Sequence, residues 1–150
     1  LGTEGKTPAA TKLSIFMDGY VALNAPDESL LRKWARIREL RELVNKDIEV
    51  LRADGKLGAS LQAEVTLTVA EDDYAMLASL GADLKFVFIT SAITLVADDA
   101  LSTAASVTNG TKCERCWHYT DDVGADAAHP TICGRCVSNL TGAGETRMFA

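Results

Sequence analysis

The sequence predicts an α+β fold in three parts: a long N-terminal helix, a small mixed sheet with two short helices, and a C-terminal module organised by four cysteines. Three observations carry this reading. Apolar residues step by three or four from position 30 to 51, residues 62–69 alternate strictly, and every cysteine falls between positions 113 and 136. A length of 150 residues suits one ordinary domain or two small ones. With 47% hydrophobic and 24% charged residues, collagen-like, mucin-like and wholly disordered classes are excluded. The richest apolar run, Leu84 to Val96, is broken by Lys85, Thr90, Ser91 and Thr94, so no membrane partner is expected. Leu1-Gly2-Thr3-Glu4-Gly5-Lys6 has neither the basic nor the apolar region of a secretory signal, and a cytoplasmic location is expected. The start also lacks an initiator Met, as expected of a chain cut from something longer. A net charge of −6 argues against a binder that uses its whole surface on nucleic acid, and leaves a local basic face open.

Residues 1–13 are Gly, Thr, Ala and Lys without periodicity and read as a flexible tail. Ser14-Ile15-Phe16-Met17 is a short apolar run closed by Asp18-Gly19. From Asp27 to Ala53, Leu30, Trp34, Ile37, Leu40, Val44, Ile48 and Leu51 share one helical stripe. Pro26 suits the first turn, Asp27 and Glu28 favour the positive end of the helix dipole, and Asp54-Gly55 supplies the stop. The other face carries Arg32, Lys33, Arg36, Arg38, Arg41, Lys46 and Arg52, read mainly as a solvated face with i,i+4 pairs such as Glu42–Lys46. In Gln62–Val69, Ala63, Val65, Leu67 and Val69 face one way, as a half-buried strand requires. Asp72 to Leu80 reads as a helix, Asp83 to Phe88 as a helical turn that also suits a strand, and 92–96 and 104–108 as short strands. One face of the sheet should therefore be covered by helices.

The tail reads Cys113-Glu114-Arg115-Cys116, then, after sixteen residues, Cys133-Gly134-Arg135-Cys136. Two such knuckles at this separation are a zinc signature. Each knuckle sets two sulfurs on one edge of a tetrahedron, and the loop returns to close the opposite edge. Soft thiolates suit zinc, and a complete four-sulfur shell leaves no position for substrate or water, so a single structural ion is expected. Two disulfides would suit a secreted mini-protein, and a thioredoxin-like pair needs one knuckle at a helix start. Rubredoxin-type iron remains an alternative with the same four thiolates, although Trp117 stands where such sites carry a small Gly. His118 and His129 are not needed as ligands. Around the knuckles lie Arg115, Trp117, His118, Tyr119, Arg135 and Arg147, cations interleaved with flat rings, as single-stranded or loop RNA requires. Trp117 could equally pack over the knuckle as a mini-core.

Lys112 to Tyr119, Asp122-Val123-Gly124, His129-Pro130, Cys133 to Leu140 and Gly144 to Ala150 closely resemble the extreme C-terminus of bacterial isoleucyl-tRNA synthetases. Ile37 to Lys46 is similar to the last long helix of that family's anticodon-binding helical domain, and Leu57 to Ala63 to its connection into a small α+β junction. The resemblance implies four regions: tail 1–13, end of the helical domain 14–56, junction domain 57–110 and zinc-binding module 111–150. It implies a tRNA-recognition appendage whose partners are the anticodon arm of isoleucine tRNA and the rest of the synthetase. Cys113, Cys116, Cys133 and Cys136 map onto the family's zinc ligands. Arg115, Trp117, Arg135 and Arg147 are candidate RNA contacts. ATP belongs to the parent enzyme only, since the His-Ile-Gly-His and Lys-Met-Ser-Lys-Ser signatures occur nowhere here, and the fragment is expected to be inactive alone. Two other readings stand beside this one. The module could only dock on the synthetase body. It also resembles the finger of formamidopyrimidine-type DNA glycosylases, enzymes that need an N-terminal Pro followed by Glu, which Leu1-Gly2-Thr3 does not provide.

Overall fold

Asp27 opens the first helix. Its carboxylate accepts the backbone N–H groups of Ser29 at 2.8 Å and Leu30 at 3.1 Å, donors that no earlier turn can reach. Pro26 thus lies one residue ahead of the cap instead of inside the first turn. The computed structural model describes residues 24–146, so the Ser14–Met17 run and Arg147 lie outside the described residues. Helix α1 spans Glu28–Ala53. It ends in a Schellman turn, with Gly55 at φ +71° donating to the Arg52 carbonyl and Lys56 donating to that of Leu51.

The expected stripe is buried at Ile37, Leu40, Val44 and Ile48, with Trp34 and Leu51 at its margins. Leu30 departs from the expectation and is 49% exposed. A helix of 26 residues is about 39 Å long, whereas a strand of seven covers about 23 Å, so α1 is longer than the sheet it packs on. The cationic face is also less free than a solvated face would be. Arg36 forks onto Asp73 with contacts of 2.7–3.1 Å, and Lys33 donates to the Ser79 hydroxyl at 2.8 Å. Arg36 also pairs with Glu39, and Arg52 with Glu49, at i,i+3 instead of the expected i,i+4 spacing.

Strand β1 (Ala63–Val69) is central. Strand β2 (Ala92–Ala97) runs parallel on one side, and β3 (Ser102–Val107) antiparallel on the other, with Val65 opposite both Ile93 and Ala105. The parallel pair requires a crossover, supplied by α2 (Glu71–Ala78), a 3₁₀ turn at Gly81–Asp83 and α3 (Leu84–Phe88). The Asp83–Phe88 stretch is therefore helical. It ends with Ile89 in the left-handed region at φ 57°, after which Ser91 donates to the Ala63 carbonyl and enters β2.

Ala63, Val65, Leu67 and Val69 bury one sheet face under the three helices, α1 lying against β3 and β1 and α2 and α3 against β2. The opposite face, with Glu64, Thr66, Thr94, Ala104 and Ser106, is exposed. Among the described residues, β2 also has an unpaired outer edge, followed by Asp98 and Asp99. The chain then forms a hairpin of β4 (Thr111–Lys112) and β5 (Tyr119–Thr120) and closes with α4 (Gly134–Thr141). No helix among the described residues is long and apolar enough to cross a membrane.

Candidate metal centre

The β4–β5 hairpin carries the first knuckle in its turn. Cys113 donates its N–H to the His118 carbonyl and accepts that of Trp117 on its own carbonyl, both at 2.9 Å. This tight closure puts Trp117 at φ 66°, a left-handed conformation that L residues with large side chains rarely adopt. Gly110 lets the hairpin close, because a Cβ there would meet the Thr120 amide nitrogen at 2.9 Å. The second knuckle sits at the head of α4, with Cys133 just before the helix and Cys136 in its first turn. Glu114 donates to the Thr131 carbonyl at 3.1 Å and ties the two knuckles together through the backbone.

The four sulfurs converge. Cys113 and Cys136 are 3.7 Å apart, Cys116 and Cys133 are 3.8 Å apart, and all four lie within 4.8 Å of one another. A tetrahedral ion with zinc–sulfur bonds of about 2.3 Å needs sulfur–sulfur edges of about 3.8 Å. The pocket of thiols fits that shell. All four cysteines are free, with sulfur separations well beyond the roughly 2.05 Å of a disulfide. Three are buried and Cys116 is half-buried.

The sulfurs are not equivalent. Burial works against the Cys113 thiolate, but backbone N–H groups of Cys116, Cys133 and Arg115 outweigh it and bring the group down to about 6. Burial pushes the Cys133 thiol up to about 12, and burial likewise raises Cys136. An incoming dication therefore displaces protons from the second knuckle, as thiolate ligation requires.

Arg115 directs Nη1 at the Cys136 sulfur at 3.6 Å, a cation from one knuckle on a sulfur of the other. Arg135 is half-buried, with its guanidinium 4.9 Å from the Phe86 ring centre and its Nη1 3.0 Å from Glu145. Trp117 points outward and is 61% exposed, with the Lys112 ammonium 5.6 Å from its ring centre. The mini-core alternative for Trp117 is thereby ruled out. His118 is not part of the sulfur cluster. Its Nδ1 donates to the Cys116 carbonyl at 3.2 Å, and its ring meets Phe86 edge to face at 5.1 Å.

Ser91 and Phe86 were not singled out from the sequence as parts of this region, and Asp122 was named there only within a resembling stretch, with no role. Asp122 accepts the first N–H of α4, from Gly134, at 2.9 Å and the Thr120 hydroxyl at 2.6 Å. These contacts hold its carboxyl below the usual carboxylate range: the Thr120 hydroxyl contributes most and burial opposes, with Gly134 and Lys85 adding to the effect. Gly134 is the signal that could have found it, since a Cβ there would meet the Asp122 carboxylate at 2.8 Å. Ser91 and Phe86, on the far side of the layer in sequence, touch the finger directly. The Ser91 hydroxyl accepts the Tyr119 N–H at 2.7 Å and donates to the Leu61 carbonyl at 2.5 Å.

Residues 110–139 match a family model described as the zinc finger found in FPG and IleRS. The whole chain has curated relatives as well. It is 50% identical over 148 residues to the isoleucine–tRNA ligase of Bordetella pertussis (strain Tohama I), covering 97% of this chain and 16% of that protein. It is 51% identical over 143 residues to the isoleucine–tRNA ligase of Ralstonia pickettii (strain 12J), covering 91% and 15% respectively. It is 52% identical over 123 residues to that of Dechloromonas aromatica (strain RCB), covering 82% and 13%. The chain thus spans about one sixth of the length of the curated relatives it matches. A finger built for one structural zinc, and identity of about half along nearly the whole chain, place this protein in the isoleucine–tRNA ligase family as a finger-bearing segment of it.

Proposed function

We propose that this chain is the tRNA-recognition appendage of an isoleucine–tRNA ligase, in which one zinc ion holds a basic and aromatic face toward the anticodon arm. Cys113, Cys116, Cys133 and Cys136 are the ligands, and the bound metal supplies a rigid crosslink with no open coordination position. Residues 14–56 end the anticodon-binding helical domain, 57–110 form the junction and 111–150 the zinc module. The parent reaction is ATP-dependent attachment of isoleucine to its tRNA in the cytoplasm. This chain carries neither nucleotide-binding signature and is inactive alone.

The observation that carries the reading is Trp117, a large ring held outward on left-handed backbone with a lysine against it. An exposed ring beside cations offers stacking to an unpaired base and charge to its phosphate. Arg115 is the nearest further cation in sequence, whereas Arg135 is engaged by Phe86 and Glu145. A second reading is that the zinc module only docks on the synthetase body.

Titration of the zinc-loaded chain with isoleucine tRNA and with a DNA duplex containing an abasic site, each at two salt concentrations, tests these readings. Preference for the tRNA with a steep loss of affinity in salt is expected, because phosphate contacts release counterions. Absence of tRNA binding would favour docking, and preference for the damaged duplex would favour a glycosylase-type finger.

A further inference from the structure

Phe86 belongs to α3, in the helix-covered layer, yet it is touched by a group from each knuckle of the finger. The His118 ring, two residues past Cys116, meets it edge to face at 5.1 Å with an interplanar angle of 78°. The Arg135 guanidinium, between Cys133 and Cys136, lies 4.9 Å from its ring centre. The Ser91 contact has a different character: it holds Tyr119 on the hairpin and therefore engages the first knuckle alone.

We infer that Phe86 is the seat through which metal binding fixes the orientation of the finger on the layer, making it a positioning residue for the Trp117 face. His118 and Arg135 belong to chain segments separated by a sixteen-residue loop, and the ion crosslinks those segments within two residues of both groups. With the ion bound, both groups arrive at one ring together, and the second contact costs little further ordering. Without it, the knuckles separate and each contact must be made alone. Ser91 holds the hairpin in either state. Docking through Phe86 therefore depends on metal, whereas docking through Ser91 does not. The positioning role of Phe86 rests on the tRNA-binding reading above; the docking itself does not.

The test compares ¹⁵N relaxation of finger and layer amides in the 150-residue chain, zinc-loaded and zinc-free, for wild type, Phe86→Leu, Phe86→Tyr and Ser91→Ala. Phe86→Leu keeps an apolar side chain and removes the ring. Its zinc-loaded form should retain one zinc per chain by elemental analysis while its finger amides tumble faster than those of the layer. Its affinity for isoleucine tRNA should fall about tenfold, the size expected from losing an aromatic and a cation–π contact. Phe86→Tyr should restore joint tumbling and affinity. Ser91→Ala should loosen docking equally with and without metal. A zinc-loaded Phe86→Leu chain that tumbles as one body overturns the inference, as does loss of its zinc. Should wild type bind no tRNA, the proposed function fails while the relaxation comparison still decides the role of Phe86 in docking.

Discussion

Among the described residues, thirteen buried apolar side chains fill the space between the sheet and its helices, whereas the finger encloses three buried cysteines with Cys116, Val123 and Ile132 at their margin. In the layer, each fully buried aliphatic or aromatic side chain contributes about 1.5–3 kcal/mol, and many such contributions oppose the entropy of ordering the chain. The finger has no comparable set. Its segments are connected by short backbone contacts and by four sulfurs at the spacing of one ion. The lesson is that neighbouring parts of one chain can reach order by different means, so they should fail under different conditions.

Metal removal should separate them most sharply. Ligation is worth about 10–16 kcal/mol in apparent free energy for structural zinc, far more than the finger's few apolar contacts. A chelator should therefore erase the native amide shifts of residues 113–116 and 121–141, while those of β1, β2 and β3, and of Tyr119 held by Ser91, persist; simultaneous melting of the sheet would break the comparison. Acid should act in the same direction as the chelator, because protons compete for the Cys133 and Cys136 thiols that burial raises. The converse perturbation is Phe88→Ala, which empties a fully buried position in the layer. It should cost about 3–5 kcal/mol in denaturant unfolding of the layer and leave zinc stoichiometry at one.

Two smaller changes sharpen the picture within the finger. Trp117→Ala should weaken tRNA binding by about 1–3 kcal/mol in a fluorescence or filter titration, with metal content unchanged, if the ring stacks on a base. Asp122→Ala removes the acceptor for the head of α4 and should cost about 1 kcal/mol, read as a lower thermal midpoint of the zinc-loaded finger. The sign with pH follows from a folded pKa below the unfolded value of about 3.9. The stabilisation is complete above that value and is lost as pH falls through the lower folded value, so the wild-type advantage over Asp122→Ala should stay constant across the pH range above it in which the finger keeps its metal.

What was legible in the chain followed from local periodicity. The alternation of Ala63, Val65, Leu67 and Val69 placed β1 and its buried face, and the stripe through Ile37, Leu40, Val44 and Ile48 placed α1. The two cysteine pairs announced the sulfur cluster because ligand spacing is a property of short segments. Long-range relations were not legible. Leu30 satisfies the helical pattern yet lies on an exposed turn, since period says which face a residue occupies and not how far the partner surface extends. Phe86 lay in a stretch that read as a helical turn while also suiting a strand, and nothing in its neighbours marked it as a contact for residues 118 and 135. Asp122 stood within a resembling stretch, but its role as acceptor for the head of α4 depends on a contact twelve residues away that no local pattern marks.

The outer margin of β2, unpaired among the described residues, has a colloidal consequence. Ala92–Ala97 contains no charge and no proline, the combination that invites strand-on-strand association between molecules. Asp98 and Asp99, immediately beyond, act as electrostatic guards against such stacking, as flanking charges commonly do. Self-association at high protein concentration should therefore deepen when both charges are removed by Asp98→Asn and Asp99→Asn, and it should begin at the sheet margin while the sulfur-bound end of the molecule is still intact.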